Sequence, residues 1–214
     1  KFYRFYRFYR VDRVDRVGID TIGEELYRSA LAAFDERYGG FYGPRKFGYA
    51  RLMRFVWRYA EARDDARGRQ VVLRSLEALL NSPLRDEQRG GYYLYSHTPD
   101  WSTPAREKDA LDQAGMLHLL LETGREQAVL GLVRYVAREL YESKTGGFRG
   151  RQIEMAPGSW WTEPRYYADR NAALLRALLA VAQRLDLAEA GRLALAAGAF
   201  LEQNCDGERG MVQH

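Results

Sequence analysis

A glycine pair followed by an aromatic residue recurs along this 214-residue chain at nearly even spacing. The copies are Gly39-Gly40-Phe41, Gly90-Gly91-Tyr92, Gly146-Gly147-Phe148 and a weaker fourth, Gly210-Met211-Val212. An acidic residue stands four positions before each first glycine: Asp35, Asp86, Glu142 and Asp206. The intervals of 51, 56 and 64 residues each accommodate two helices with their connections. Because a unit of that size cannot bury its apolar face alone, the spacing predicts an array of stacked αα-hairpins.

The residues between the glycine pairs follow the helical period. In the first helix, Leu26, Ala30 and Phe34 share one face, after a start with capping-box spacing at Thr21–Glu24. No stretch has convincing strand alternation, although short extended pieces could flank the glycines. We predict seven helices, at about 21–37, Tyr49–Ala62, Asp65–Asn81, Lys108–Glu122, Glu126–Ser143, Tyr166–Leu185 and Ala188–Asn204. The predicted fold class is therefore all-α. The long glycine-aromatic loops should meet at one end of a curved array, because short turns join antiparallel neighbours at the other.

Composition excludes several classes of protein. No apolar run approaches the roughly 20 residues that cross a bilayer, which predicts a cytoplasmic protein without a membrane partner. The single Cys205 excludes an intramolecular disulfide and a CxxC pair. All but four of the 33 basic residues are arginines, mixed with 29 acidic residues for a formal charge of only +4. That distribution lacks the basic stripe of a nucleic-acid surface, so we predict no nucleic-acid partner.

The N-terminus differs from the rest of the chain. Residues 1–18 contain Phe-Tyr-Arg three times and then Val-Asp-Arg twice, a period of three that fits neither a strand nor a helix. We interpret 1–18 as a low-complexity segment and 19–214 as the helical domain.

The glycine-aromatic loops also carry a longer pattern. They read DERYGGFYGPRKF over Asp35–Phe47, GGYYLYS over Gly90–Ser96 and, after Trp101, PAREKDALDQA over Pro104–Ala114. In order and spacing, about Asp35–Leu121 resembles the YyaL-type, spermatogenesis-associated protein 20-like family of thioredoxin-domain-containing proteins. Gly146-Gly147-Phe148 and Asn171-Ala172 extend the resemblance more thinly. The chain departs from the family pattern at Tyr93-Leu94, where the family has His-Arg, and at Ala105-Arg106, where it has His-Phe.

The resemblance implies a six-hairpin (α/α) toroid related to sugar epimerases and several glycosidases. Three hairpins are counted here, about half of such a ring. The family's thioredoxin-like N-terminal domain is not in this sequence, which makes such a domain a candidate partner. The last predicted helix carries Leu193, Leu195 and Phe200 with few polar residues, so we also expect further hairpins or self-association to cover it.

Two carboxylates in the second loop and its helix are the candidate catalytic residues. Glu107 and Asp112 would face a loop-lined funnel, one as an acid of raised pKa and the other as a base or a substrate anchor. The structural alternative makes Glu107 a helix cap, pairs Lys108 with Asp112 one turn away, and has Gln113 bond a neighbouring loop.

Six further residues are candidates for substrate binding: Tyr95, His97, Trp101, Lys108, Gln113 and Asn171. The loop aromatics could stack on sugar rings or plug the end of the array. Asn171 sits among leucines, where it could contact a ligand or hold a loop by a hydrogen bond.

Histidine is scarce, which bears on both epimerase chemistry and metal binding. His97 lies in the candidate loop, His118 is interpreted as a packed helix residue, and His214 ends the sequence. A sugar epimerase of the related kind would be expected to use a histidine pair. No histidine or cysteine pair has ligand spacing, so we predict no metal and no cofactor. The leading hypothesis is a carbohydrate-processing or carbohydrate-binding domain of undefined reaction with a small carbohydrate ligand. The alternative is a non-catalytic scaffold accessory to a thioredoxin-like domain.

Overall fold

A computed structural model describes residues 19–204 of the protein. The low-complexity segment predicted at 1–18, Cys205 and the weak repeat at Gly210-Met211-Val212 lie outside the described residues. The predicted division into 1–18 and 19–214 therefore remains a prediction.

Seven α-helices form within residues 19–204, as the periodicity predicts. They are α1 (Ile19–Ala32), α2 (Ala50–Ala62), α3 (Ala66–Leu80), α4 (Ala110–Glu122), α5 (Glu126–Tyr135), α6 (Ala168–Leu185) and α7 (Ala188–Asn204). A five-residue π-helical turn, Val136–Leu140, continues α5. None of the helices within 19–204 is long and apolar enough to cross a membrane.

The helices form two layers. Helices α2, α4 and α6 pack side by side as an inner layer, while α3 packs on α2, α5 on α4 and α7 on α6. Helix α1 also packs on α2. Each inner helix is joined to the next outer helix by a short turn, and each outer helix returns to the next inner helix through a glycine-aromatic loop. This alternation makes the three inner helices parallel to one another and confirms the αα-hairpin array.

Five short strands lie in the long loops of residues 19–204, where the sequence left room for short extended pieces but showed no strand alternation. The strands are β1 (Lys46–Phe47), β2 (Tyr95–Ser96), β3 (Glu107–Asp109), β4 (Arg151–Ala156) and β5 (Ser159–Thr162). Strand β1 pairs with β2, and β3 pairs with β4, which pairs with β5; all pairs are antiparallel. These pairs join the loop of each unit to the loop of the next, so the loops meet at one end of the array.

The second loop corrects a helix boundary. We predicted that Glu107 and Lys108 open a helix, but both lie in β3 and α4 begins at Ala110. The cap is Asp109, whose side chain accepts a hydrogen bond from the Leu111 amide at 2.8 Å. A capping carboxylate satisfies one of the free N–H groups at the helix start and stabilises the end of the helix dipole. The alternative role of Glu107 as the helix cap is therefore wrong.

A buried ion pair closes each of the first two glycine loops. In the first loop, the Lys46 ammonium contacts the Asp35 carboxylate at 2.6 Å and donates to the Phe41 carbonyl at 3.0 Å. Asp35 also accepts from the amides of Arg37 and Tyr38. Burial alone would raise the pKa of Asp35, but Lys46 and the backbone donors hold it below its usual value.

The second loop repeats this arrangement. The Lys108 ammonium contacts Asp86 at 2.6 Å and the Gly90 carbonyl at 2.7 Å, and the lysine is fully buried. Burial lowers the pKa of Lys108, and the hydrogen bond and charge of Asp86 oppose that effect. In the third loop an arginine takes the place of the lysine, because Glu142 pairs with Arg149 at 3.3 Å near the surface.

The final helix is more amphipathic than its composition indicated. Leu193, Ala197 and Phe200 are buried, whereas Leu195 is 73% exposed. Self-association and cover by further hairpins remain predictions.

The lysine pairs generate a prediction about stability. Lys46→Met leaves the Asp35 carboxylate buried without its cation, and we expect the free energy of unfolding to fall by about 3 kcal/mol. The matched control is Arg28→Met, which breaks an exposed ion pair with Glu24 on α1 and should cost less than about 0.5 kcal/mol. Urea denaturation of both variants measures the difference, and equal losses would contradict a structural role for Lys46.

Two glycines generate a second prediction. Gly40 has a φ of +69°, and a Cβ there would lie 2.6 Å from the Trp101 ring, so Gly40→Ala should destabilise the fold by about 2 kcal/mol or more. Gly131 lies inside α5 with no atom within 4 Å of an added Cβ. Gly131→Ala should therefore stabilise by about 0.5–1 kcal/mol. Thermal unfolding monitored by circular dichroism distinguishes the two, and shifts of the same sign would refute this account.

Candidate functional site

An open cleft of about 200 Å³ lies between β3, β4 and the first turns of two inner helices. Its lining residues are Leu94, Glu107, Lys108, Asp109, Leu111, Asp112, Arg151 and Arg170. Both carboxylates predicted as catalytic residues therefore line one shared cleft. Neither Tyr95 nor Trp101 is among the lining residues.

The pairing of β3 with β4 positions Glu107. Glu107 pairs with Ile153, and Asp109 pairs with Arg151 two residues farther along β3. Since alternate residues of a strand share a face, Glu107, Asp109 and Arg151 lie on the same side of this sheet. The Glu107 carboxylate lies 4.0 Å from the Arg151 guanidinium, and its side chain is 29% exposed. Glu107 is thus held loosely by a cation and remains accessible from the cleft.

Asp112 occupies the first turn of α4, and its side chain makes no hydrogen bond or ion pair with any other residue within 19–204. It is open to solvent on one side, yet the cleft walls crowd it on the others. This desolvation, with the nearby negative charge of Asp109, raises the pKa of Asp112 to about 6, against the lowering effect of Arg51 and Arg170. A carboxyl group with that pKa can donate or accept a proton near neutral pH.

An ion pair between inner helices fixes the back of the cleft. The Arg170 guanidinium on α6 contacts the Asp109 carboxylate at 2.9 Å, and the same guanidinium lies 4.3 Å from the Tyr167 ring centroid. Because Asp109 also caps α4, this contact aligns the N-terminal turns of α4 and α6. Asp112 is thereby placed between the sheet and α6.

A second group of charged residues lies farther along the inner helices. The Glu122 carboxylate on α4 binds two arginines of α2, Arg54 at 2.7 Å and Arg58 at 2.6 Å. His118, one turn before Glu122, is half-buried. Burial, followed by the positive charge of Arg54, lowers the pKa of His118 to about 4; Arg176 and Arg58 add to this effect and Glu122 opposes it. His118 is therefore neutral at physiological pH.

The remaining predicted substrate-binding residues divide into buried and accessible groups. Trp101 is buried, and its indole N–H donates to the Tyr38 carbonyl at 2.8 Å, so it plugs the loop layer. Tyr95 is half-buried and stacks on Phe47 at 4.9 Å between ring centroids, with the exposed His97 against its edge. Only Tyr95 and His97 of these six residues keep accessible surface.

Lys108, Gln113 and Asn171 hold loops in this structure. The alternative pairing of Lys108 with Asp112 is wrong, because Lys108 binds Asp86. Gln113 accepts from the Tyr92 amide at 2.9 Å and donates to the Tyr92 carbonyl at 2.8 Å. Asn171, at the same turn of α6, makes the equivalent pair of bonds to Phe148 at 2.7 and 3.1 Å. These contacts occupy the side chains that we predicted for substrate binding.

Sequence reasoning missed the charged residues that lie on the inner helices and on the two strands beside the cleft. On the helices they are Arg51, Arg54, Arg58, Glu122, Arg170 and Arg176, and on the strands Asp109 and Arg151. A usable signal was present, since Arg51, Arg54 and Arg58 are spaced at helical intervals on one face. Within the described residues, no group of three or more histidine, cysteine or acidic side chains could hold a metal ion.

Comparison with known proteins identifies related chains. No protein-family model matches the sequence. The chain is 26% identical to spermatogenesis-associated protein 20 of Homo sapiens over 156 residues, and likewise to that of Rattus norvegicus; each match covers 68% of this chain. The chain spans about a fifth of the length of these curated relatives, with 20% covered. This similarity confirms the resemblance to the toroid portion of that family.

Solved structures share the fold at low sequence identity. A cellobiose 2-epimerase from Spirochaeta thermophila superposes with a TM-score of 0.70 at 15% identity, covering 87% of this chain and 54% of that one. A D-mannose isomerase superposes with a TM-score of 0.67 at 12% identity, covering 90% of this chain and 53% of that one. A family 76 glycoside hydrolase from Bacteroides thetaiotaomicron superposes with a TM-score of 0.68 at 12% identity, covering 87% of this chain and 44% of that one. These likenesses confirm the six-hairpin toroid fold.

The neutral His118 generates a prediction about pH. The unfolded chain binds a proton at His118 near pH 6.5, whereas the folded chain does so only near pH 4, so stability is lost as pH falls through this window. Between about pH 7.5 and about pH 5, the free energy of unfolding of the wild type should fall by about 2 kcal/mol more than that of His118→Gln. Asp112 titrates in both proteins, so its contribution to the pH dependence of stability cancels in the comparison. Parallel losses in urea denaturation would contradict the burial of His118.

Proposed function

We propose that this chain is a carbohydrate-processing domain whose reaction takes place in the cleft between β3 and α4. The observation that carries the proposal is that Glu107 and Asp112 line one open cleft in contrasting environments. Asp112 lacks a partner and has a pKa of about 6, whereas Glu107 lies beside the Arg151 cation. Two carboxyl groups whose environments differ in this way suit acid and base roles in one reaction.

In this proposal, Asp112 exchanges a proton with the sugar and Glu107 binds a sugar hydroxyl or completes the proton transfer. Tyr95 and His97 would contact sugar units beyond the cleft. The named neighbours include a sugar epimerase, a sugar isomerase and a glycoside hydrolase, which supports carbohydrate as the substrate class while leaving the reaction undefined.

A scaffold function is the second candidate. It is favoured by the contacts of Trp101, Lys108, Gln113 and Asn171, which all hold loops in place. In that case the partner would be a thioredoxin-like domain or a second copy of the chain, and Asp112 would have no proton-transfer role.

Substitution of the two carboxylates tests the proposal. The chain is incubated with D-mannose, cellobiose or α-1,6-mannotetrose, and NMR follows proton exchange at the sugar, epimer formation and hydrolysis. Asp112→Asn should reduce turnover by about 10²–10⁴-fold, and Glu107→Gln should also reduce it. The control is Asp64→Asn, the same chemical change in the α2–α3 turn at a side chain 94% exposed. Unchanged turnover in Asp112→Asn, or no sugar processed or bound by the wild type, would favour the scaffold function.

The pH dependence of activity is a second test of the role of Asp112. Because Arg51 lowers the pKa of Asp112, Arg51→Gln should move the limb of the activity profile near pH 6 to higher pH. A limb that stays in place would assign that titration to another group.

A further inference from the structure

Trp161 is an exposed tryptophan on a strand that is otherwise well anchored. Its side chain is 44% exposed, and within residues 19–204 the indole makes no ring stack, cation contact or hydrogen bond. The preceding residue, Trp160, differs: the Lys108 ammonium lies 4.7 Å from its ring centroid, and the Tyr93 ring stacks on it at 6.2 Å between centroids. One of two consecutive tryptophans therefore anchors β5, and the other keeps an accessible aromatic surface.

The alternation of β5 fixes the direction of Trp161. The residues on either side of it, Trp160 and Thr162, both point to the buried face of the sheet of β3, β4 and β5. On that face the buried Gln152 amide donates to the Thr162 hydroxyl at 3.1 Å. Since successive side chains of a strand point to opposite faces, Trp161 lies on the other face. A slip of one residue would exchange the two faces, so the buried contacts hold the indole in place before any ligand binds.

Trp161 shares its face of the sheet with Glu107. Strand pairing places Trp161 opposite Ile153, and Ile153 opposite Glu107. Directly opposite residues of antiparallel strands point to the same side, so these three residues form one row across the sheet. The ends of the row are two strand spacings apart, about 10 Å. Because Glu107 lines the cleft, the row extends the wall of the cleft outward to the indole.

A second cleft, of about 530 Å³, lies on the opposite face of the same sheet. Its wall includes Glu154 and Trp160, which pair with each other across β4 and β5. Each of them is one residue away from the neighbouring pair, Ile153 and Trp161. The sheet therefore separates the two clefts, and Trp161 lies on the side of Glu107.

An indole in this position suits one face of a sugar ring. A pyranose presents C–H groups on its face and hydroxyl groups around its rim, and the C–H groups complement the negative face of an aromatic π-system. Donors for the hydroxyl groups are close by. Ser159 lies two residues before Trp161 on β5, and Arg151 lies two residues before Ile153 on β4, so both share the face of the row.

Resting on the proposed function, we propose that Trp161 is the stacking platform for a second sugar ring. The ring that reacts lies between Glu107 and Asp112, and the next ring of the same saccharide lies on the indole. The separation of about 10 Å along the row is comparable with the length of a disaccharide. The substrate is then a saccharide of two or more units, and Trp161 sets the preference for it over a monosaccharide.

Titration of the chain with short and longer sugars tests the platform. The probes are two matched pairs, D-glucose with cellobiose and D-mannose with α-1,6-mannotetrose. Calorimetry measures the affinity, and NMR follows the indole N–H signal of Trp161. In at least one pair the longer sugar should bind more tightly than its monosaccharide and shift the Trp161 signal. The proposal is overturned if neither longer sugar binds more tightly, or if the Trp161 signal does not move.

Variants assign this binding to the indole. Trp161→Ala should weaken binding of the longer sugar about tenfold and leave the affinity for the monosaccharide within about twofold. Trp161→Phe keeps an aromatic ring and should retain most of the affinity. The control is Tyr42→Ala, which removes a ring that is 61% exposed in the first loop and should bind as the wild type does.

Three results with these variants would contradict the platform. They are an unchanged affinity in Trp161→Ala, an equal loss in Tyr42→Ala, and an equal loss of affinity for the monosaccharide and the longer sugar. The last of these would place a single ring on the indole and overturn the assignment of a second ring.

The failure of the platform can be separated from the failure of the proposed function. Asp112→Asn should lose turnover but keep the shift of the Trp161 signal with the longer sugar. If that shift occurs in the wild type and no sugar is processed, the platform stands and the acid–base role falls. If short and longer sugars are processed equally well and Trp161→Ala changes neither, the acid–base role stands and the platform falls.

Discussion

The buried ion pair between a loop carboxylate and a lysine is the interaction on which the conformation of the first two glycine-aromatic loops depends. Each carboxylate gathers two backbone amides and an ammonium, and the ammonium in turn binds a carbonyl of the glycine turn. A charge removed from water is stable only when its hydrogen bonds are nearly complete, so the pair enforces one loop conformation. In the second loop the lysine is Lys108, a residue of β3. The contact that closes the turn therefore also fixes the strand carrying Glu107 and Asp109.

The repeat and the helical period were sufficient to predict the helices and their order, because both are local or regularly spaced signals. The strands were not predictable in the same way. Strands of two or three residues, such as β1 and β3, show no alternation, and the partner of β3 lies in a loop more than forty residues later in the chain. The start of α4 was misplaced for the same reason: Glu107 and Lys108 have good helical propensity, but pairing with β4 extends their backbone.

The shared cleft of Glu107 and Asp112 was predictable from the motif, whereas the roles of its neighbours were not. Lys108, Gln113 and Asn171 have the chemistry of ligand-binding residues, and only the three-dimensional structure shows that backbone groups or Asp86 already occupy them. The inner-layer arginines were missed because their significance depends on which helices face inward. Once α2, α4 and α6 are known to be neighbours, contacts between residues far apart in the sequence, such as Glu122 with Arg54 and Arg58, become apparent.

The polar groups of this end of the array fall into two energetic classes. Asp35, Asp86, Gln113 and Asn171 are buried and fully engaged, so they contribute to a rigid frame. The Asp112 side chain makes no such contact within 19–204, although it lies in the field of Asp109, Arg51 and Arg170. An unpaired charge contributes little to stability, but it is the kind of group that a ligand can complete. The loops and the helix caps satisfy one another's hydrogen bonds, and this rigid frame holds the unpaired Asp112 carboxyl group at a defined position in the cleft between β3 and α4.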